Sequence, residues 1–211
     1  MMNRKIFKIK MIFAALLLTF SMGNAQNFGL TLRGDGAFPM GELSNWFDNG
    51  YSASAAFGAF RGNGWFVEAM IFGALYSNEK PILDSDEHVQ LRLEAAGLWV
   101  SGDYYIWTRG VIRPFFYLAG GPFYWKGVRG EVPEISPFPN IPERILEEWN
   151  MGGESGLGLA FVPTESLHLL LNANYRFLVG SLYPTMQENV GIDGINGFSS
   201  LNLSLRIRFL F

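Results

Sequence analysis

The stretch Leu201-Asn-Leu-Ser-Leu-Arg-Ile-Arg-Phe-Leu-Phe211 alternates without a break. Its odd positions, Leu201, Leu203, Leu205, Ile207, Phe209 and Phe211, are all apolar, while the even ones hold Asn202, Ser204, Arg206, Arg208 and finally Leu210. Successive side chains of a β-strand point to opposite faces, so this period of two describes a strand with one apolar and one polar side.

The same rhythm recurs upstream. Over 167–180, Leu167, Leu169, Leu171, Ala173, Tyr175, Phe177 and Val179 share one face, with His168, Leu170, Asn172, Asn174 and Arg176 on the other. Over 88–99, Val89, Leu91, Leu93, Ala95 and Trp99 oppose His88, Gln90, Arg92 and Glu94. Over 28–38, Phe28, Leu30, Leu32 and Phe38 oppose Thr31, Arg33 and Asp35. Segments 51–61, 65–76 and 112–125 are rich in aromatics, alanine and glycine, and 151–162 sets Leu157, Leu159 and Phe161 against Glu154, Gly156, Gly158 and Ala160. That makes about eight strands. Tight turns at 62–64, 108–111 and 163–165 alternate with long connections at 39–50, 77–87, 127–150 and 181–199, the layout of an up-and-down antiparallel meander.

Composition narrows the class. The chain has 211 residues, enough for one domain, with 25 glycines, 16% aromatic and only 17% charged residues. Intrinsic disorder is excluded by the apolar content. The formal charge of −3 argues against a nucleic-acid partner. No cysteine is present, which removes disulfides, thiolate metal sites and cysteine nucleophiles together.

The N-terminus reads as an address. Arg4, Lys5, Lys8 and Lys10 precede an apolar run over 11–20, followed by small residues at Gly23 and Ala25. This is the pattern of a cleaved secretory signal peptide over 1–25, with an apolar core too short to span a bilayer. Cleavage removes four of the 16 basic residues and none of the 19 acidic ones, leaving a domain over 26–211 with a formal charge of −7.

Periodicity alone does not say which face is inside. A soluble barrel turns the apolar face in and a membrane barrel turns it out. After the leader the only lysines are Lys80 and Lys126. The polar faces instead carry Arg33, Arg92, Arg113, Arg176, Arg206 and Arg208 with Asp35, Glu68, Glu94 and Glu154. Arginine's planar fork suits confined, multiply bonded pairs, and mixed signs suit a closed lumen where an unpaired charge is costly. These residues are read as a lumen charge network, with Gly156 and Gly158 making room for facing arginines. Aromatics fall into two groups, Trp65, Tyr104, Tyr105, Trp107, Phe161, Phe209 and Phe211 near the tight turns and Tyr51, Tyr76, Tyr124, Trp125 and Tyr183 near the long loops. Two such girdles mark the two interfaces of a bilayer.

The terminal alternation ending in Phe211, together with Ile112-Arg-Pro-Phe-Phe-Tyr-Leu-Ala-Gly-Gly121, resembles the small eight-stranded outer-membrane barrels of the OmpA–OmpX type. The likeness covers 26–211. It implies a closed all-β transmembrane barrel in the outer membrane of a diderm bacterium, in contact with lipid and lipopolysaccharide. It also implies that Ile207, Phe209 and Phe211 form the signal read by the outer-membrane assembly machinery. With an even strand number, both termini and the tight turns face the periplasm.

Candidate chemistry is sparse. Ser85, Asp86 and His88 match no hydrolase order, and His168 is expected at the opposite end of the barrel. The acidic groups Asp84, Asp86 and Glu87, and Glu143, Glu147 and Glu148, lack calcium-loop spacing and read as solvated loops, with ion bridging to lipopolysaccharide phosphates as the alternative. Pro142 followed by Ile145, Leu146 and Trp149 predicts a short helix in the longest loop. The expectation is therefore a plugged barrel without enzymatic activity, cofactor or metal. Its role is structural or surface interaction through four long loops, which would meet an extracellular partner. A small-solute channel is the alternative, and a barrel enzyme acting on membrane lipid the third reading.

Overall fold

The structure, a computed structural model, describes residues 28–61, 64–81, 88–131, 142–182 and 195–211. The leader expected over 1–25 lies outside them. Eight strands close into one barrel: β1 (Phe28–Met40), β2 (Gly50–Arg61), β3 (Trp65–Pro81), β4 (His88–Tyr105), β5 (Ile112–Arg129), β6 (Arg144–Thr164), β7 (Leu167–Leu182) and β8 (Ile195–Leu210). Each is antiparallel to its neighbours, and β1 returns to β8 in a register that sets Gly29 against Leu210 and Phe38 against Leu201. The seam is closed at its end, where Phe28 N–H donates to the Phe211 carbonyl at 3.1 Å and Phe211 N–H donates back at 2.9 Å. The barrel thus has the up-and-down, all-antiparallel form expected of the strand rhythm.

On β8 the alternation resolves which face is inside. Leu203 and Leu205 are each 54% exposed, whereas Arg206 and Arg208 are 1% and 0% exposed. The apolar face therefore points outward around the wall, and outward-facing Leu30, Leu32, Ile71, Leu98, Leu118, Leu157, Leu171 and Leu201 continue it on the other strands. A wall of this kind is solvated by lipid, and closure pairs the backbone groups that lipid cannot. The apolar stretch on β8, Leu201 to Phe211, has the length of about 9–11 residues that a tilted strand needs to cross.

The wall continues past the membrane on one side. β4 pairs with β3 as far as Pro81 opposite His88, and β5 pairs with β6 as far as Arg129 opposite Arg144. β6, by contrast, meets β7 no further than Gly152 opposite Leu178. Strands β3–β6 thus rise as a four-stranded sheet at the long-loop end. The helix expected after Pro142 is not there: residues 144–150 belong to β6, with Ile145 opposite Val128 and Trp149 opposite Tyr124. The reason is non-local, since β5 runs straight to Arg129 and offers this segment a complete row of backbone partners.

In this upper sheet the polarity of the wall inverts. On β4 the odd positions face inward from end to end, but they read Leu91, Leu93 and Ala95 above and Ser101 and Asp103 below. Above the membrane the outside is water, so the apolar side turns in. Several expected placements are corrected by this inversion. Arg92 and Glu94 face outward, not into the lumen, and Tyr76 and Trp125 are buried inside, not in the outer girdle. Tyr105 is likewise inward and buried at the other end, while Tyr183 lies outside the described residues.

Candidate functional site

The lumen is filled from one end to the other. Nearest the turns, β8 sends Arg206 and Arg208 across to Glu68 on β3 and Asp103 on β4. Arg206 makes a fork-to-fork pair with Asp103, at 2.8 and 2.9 Å, and reaches Glu68 at 2.9 Å. Arg208 lies 2.5 Å from Asp103 and 3.3 Å from Glu68, and donates to Thr31 at 3.0 Å and to the Tyr105 hydroxyl at 2.8 Å. Its guanidinium also stands 3.7 Å from the centre of the Phe66 ring, a cation–π contact in a dry setting. Thr31 and Ser101 donate to the two oxygens of Glu68.

A second quartet lies above it. Arg33 pairs with Asp35 at 2.5 Å and with Glu154 at 2.8 Å, and Arg176 bridges Glu154 and Asp35. Ser52 donates to Asp35. Tyr117 links the layers: it accepts from Arg33 at 2.9 Å, and Arg206 stands 5.0 Å over its ring. In this membrane half of the lumen four arginines face four carboxylates, so the buried charge is neutral. Removing one member of such a buried pair typically costs about 3–5 kcal/mol, because the partner is left charged and unsolvated.

Beside the quartets runs a ladder of amides on β7 and β8. Asn172 donates to Asn174 at 2.5 Å, Asn174 donates to Ser204 at 3.1 Å, and Ser200 donates to Asn202 at 3.1 Å. The space for it comes from β6. A Cβ on Gly156 would lie 2.4 Å from the Asn174 side-chain oxygen, and one on Gly158 would lie 2.4 Å from the Phe115 ring and 2.6 Å from Asn172. These glycines therefore admit asparagines and a phenylalanine, not the arginines expected of them.

Apolar side chains close both ends. Above the quartets, Phe72, Trp99, Phe123, Trp125, Leu178 and Phe198 pack with Leu43 and Phe47, which follow β1 through a short 3-10 turn, Gly41–Asn45. Below them, Phe66, Tyr105, Phe115, Val162 and Leu170 form a second cluster, with His168 edge-on to Phe60 and Tyr105.

Of the residues read from sequence as a lumen network, the structure brings together Arg33, Asp35, Glu68, Glu154, Arg176, Arg206 and Arg208. It does not bring in three. Arg92 and Glu94 pair with each other at 2.5 Å on the outer surface of the upper sheet, with both side chains about half exposed. Arg113 sits at the turn-end rim, where its Nε donates to the Gly110 carbonyl at 2.9 Å. Asp103 was not foreseen, although it completes the lower quartet; extending the β4 alternation beyond Trp99 through Ser101 reaches it. Ile207, Phe209 and Phe211 face lipid, and Phe211, Phe57 and Phe28 form an aromatic row across the seam, with centroids 6.3 and 5.9 Å apart. His88 opens β4 at the loop end, and Ser85 and Asp86 lie outside the described residues. Glu143, Glu147 and Glu148 are exposed, with Glu147 accepting from Tyr124 and Glu148 from Asn150. Among the described residues no three acidic or histidine side chains converge as a metal site.

No family model matches the chain, and no curated protein does. Solved structures do. The chain is similar to Neisserial surface protein A, at 13% identity over 87% of this chain and 97% of that one, with a TM-score of 0.56. It is also similar to a major outer membrane protein from Thermus thermophilus, at 10% identity over 87% and 99%, with a TM-score of 0.54. At these identities the likeness is one of fold. A closed eight-stranded wall, apolar on its outer face and ionic within, has the fold of the small outer-membrane barrels of the OmpA–OmpX type, and its outward apolar face is that of a membrane-spanning β-barrel.

Proposed function

We propose that the protein is a sealed barrel with a structural or surface-interaction role, exported by a signal peptide over 1–25 and folded over 26–211. The observation that carries this reading is the filled lumen: two neutral ion-pair layers lie between apolar clusters at both ends. Side chains fill a barrel of about eight strands, and here the buried arginines, carboxylates and apolar clusters occupy the interior. The working surface is then the loop end, where β3–β6 rise beyond the membrane with Arg92, Glu94, Tyr124, Glu147 and Trp149 on their outer face. Lipopolysaccharide surrounds this end of the wall, and an extracellular partner would meet the sheet. Ile207, Phe209 and Phe211 present the outward edge on which the assembly machinery would act.

Two measurements test the reading. In a planar bilayer the refolded protein stays electrically silent; steady ohmic steps would overturn the plugged lumen and make its arginines a selectivity filter. Because the chain has no cysteine, a single Glu94→Cys reports on orientation. An impermeant maleimide labels it on intact cells, whereas Arg109→Cys, at the opposite end, is labelled only after lysis.

A further inference from the structure

The geometry points to a phospholipid headgroup site on the β4–β5 turn: Arg109 and Arg113 together engage the phosphate of an anionic phospholipid in the leaflet that the turn end faces. This rests on the outer-membrane orientation proposed above.

The turn is fixed in place from three sides. Ile106 N–H donates to the Pro114 carbonyl at 3.0 Å, and the Val111 carbonyl accepts from Val162 N–H on β6 at 2.8 Å. Gly110 turns the chain at a φ of +95°, which an L side chain rarely adopts. Its carbonyl accepts from Arg113 Nε at 2.9 Å. That bond anchors the Arg113 guanidinium by one nitrogen and leaves its two terminal amino groups without a partner among the described residues. Arg109, exposed on the same turn, has no hydrogen-bond or ion-pair partner among them either. A phosphate diester offers two anionic oxygens to such a pair of planar donors, a match that arginine makes better than lysine.

The surroundings select a lipid over a free anion. Ile106, Trp107 and Val111, on the same turn, are 53%, 65% and 53% exposed. A water-exposed turn gains nothing from these side chains, but a turn resting in the headgroup layer does, and tryptophan favours that layer. Charge agrees. Among the described side chains at this end, Arg61, Arg109 and Arg113 face a single exposed acidic side chain, Glu165, whereas the exposed charge of the loop end is predominantly acidic. The barrel therefore presents its positive rim to phospholipid.

The test is native mass spectrometry of the refolded full-length barrel in detergent, titrated with phosphatidylglycerol, with phosphatidylcholine and with glycerol phosphate. Phosphatidylglycerol adducts should exceed phosphatidylcholine adducts, and glycerol phosphate should not compete. Arg109→Gln should lower that preference about fivefold, and Arg109→Gln with Arg113→Gln should abolish it. Arg92→Gln with Lys126→Gln, at the loop end, should leave it intact. Equal binding of both lipids, or a preference kept by the double variant, would overturn the site; competition by glycerol phosphate would reassign it to a soluble anion. If the double variant does not fold, Arg109→Gln decides, since Arg109 supports no described contact. Loss of the compact, heat-modifiable form in the unmutated protein would instead count against the membrane-barrel reading, and is seen separately on a gel.

Discussion

Above Gly97 and below it, β4 keeps one period and exchanges its two faces. Toward the turns, Leu98 and Val100 look at lipid while Ser101 and Asp103 look into the lumen; toward the loops, Arg92 and Glu94 look at water while Leu91 and Leu93 look inward. The strand geometry is the same throughout, and only the solvent outside differs. Where that solvent is hydrocarbon, the outer face satisfies the apolar requirement and the interior is free to hold ion pairs. Where it is water, the interior must supply the apolar core, and the cluster around Leu91, Leu93, Trp125 and Phe198 does so. One continuous wall is thus stabilised by two unlike interiors.

Substitutions in the two halves probe that contrast, beginning with the strongest. Arg206→Ala strips the lower quartet of the bidentate partner of Asp103 and should destabilise the barrel by about 3–5 kcal/mol in urea unfolding from lipid vesicles. Arg206→Met combined with Asp103→Leu removes charge in balance and should recover much of that loss. Next, Leu93→Ala in the loop-end core should cost about 2–4 kcal/mol through the cavity it leaves. The same change on the lipid face, Leu203→Ala, should cost less than about 1 kcal/mol, because acyl chains fill the gap. Equal costs for Leu93 and Leu203 would mean that the two halves are not distinguished by solvent. The smallest effect belongs to Arg92→Gln. It breaks a half-exposed pair with Glu94 and should change stability by no more than about 1 kcal/mol, an effect that shrinks further in high salt.

The sequence was most legible where lipid bathes the wall over a whole strand. On β7 and β8 the alternation alone places every lipid-facing leucine and the inward His168, Asn172, Asn174, Arg176, Arg206 and Arg208. It misled on β4, because Leu91, Leu93 and Trp99 share a face that is inward, and an apolar face looks the same whether lipid or a core receives it. Asp103 escaped for a related reason: it stands in Gly102-Asp-Tyr-Tyr105, which reads as the approach to a turn until the strand is seen to continue to Tyr105. Residues 144–150 carry helical spacing at Ile145, Leu146 and Trp149, yet their conformation is settled by β5, a partner that no local pattern records. The role of Gly156 and Gly158 was equally hidden, since what fills the space beside a glycine depends on the facing strands.

Both carboxylates of the lower quartet, Glu68 and Asp103, are made early in the chain, and both cations that neutralise them, Arg206 and Arg208, arrive with the last strand. Until β8 is seated, an otherwise assembled barrel carries two uncompensated negative charges facing its own interior. Seating of β8 is thereby coupled to electrical completion of the lumen: a barrel whose sixteen-residue β8 is missing or misregistered should stay open, hydrated and accessible to proteolysis, whereas correct seating closes the wall and neutralises its interior in one step.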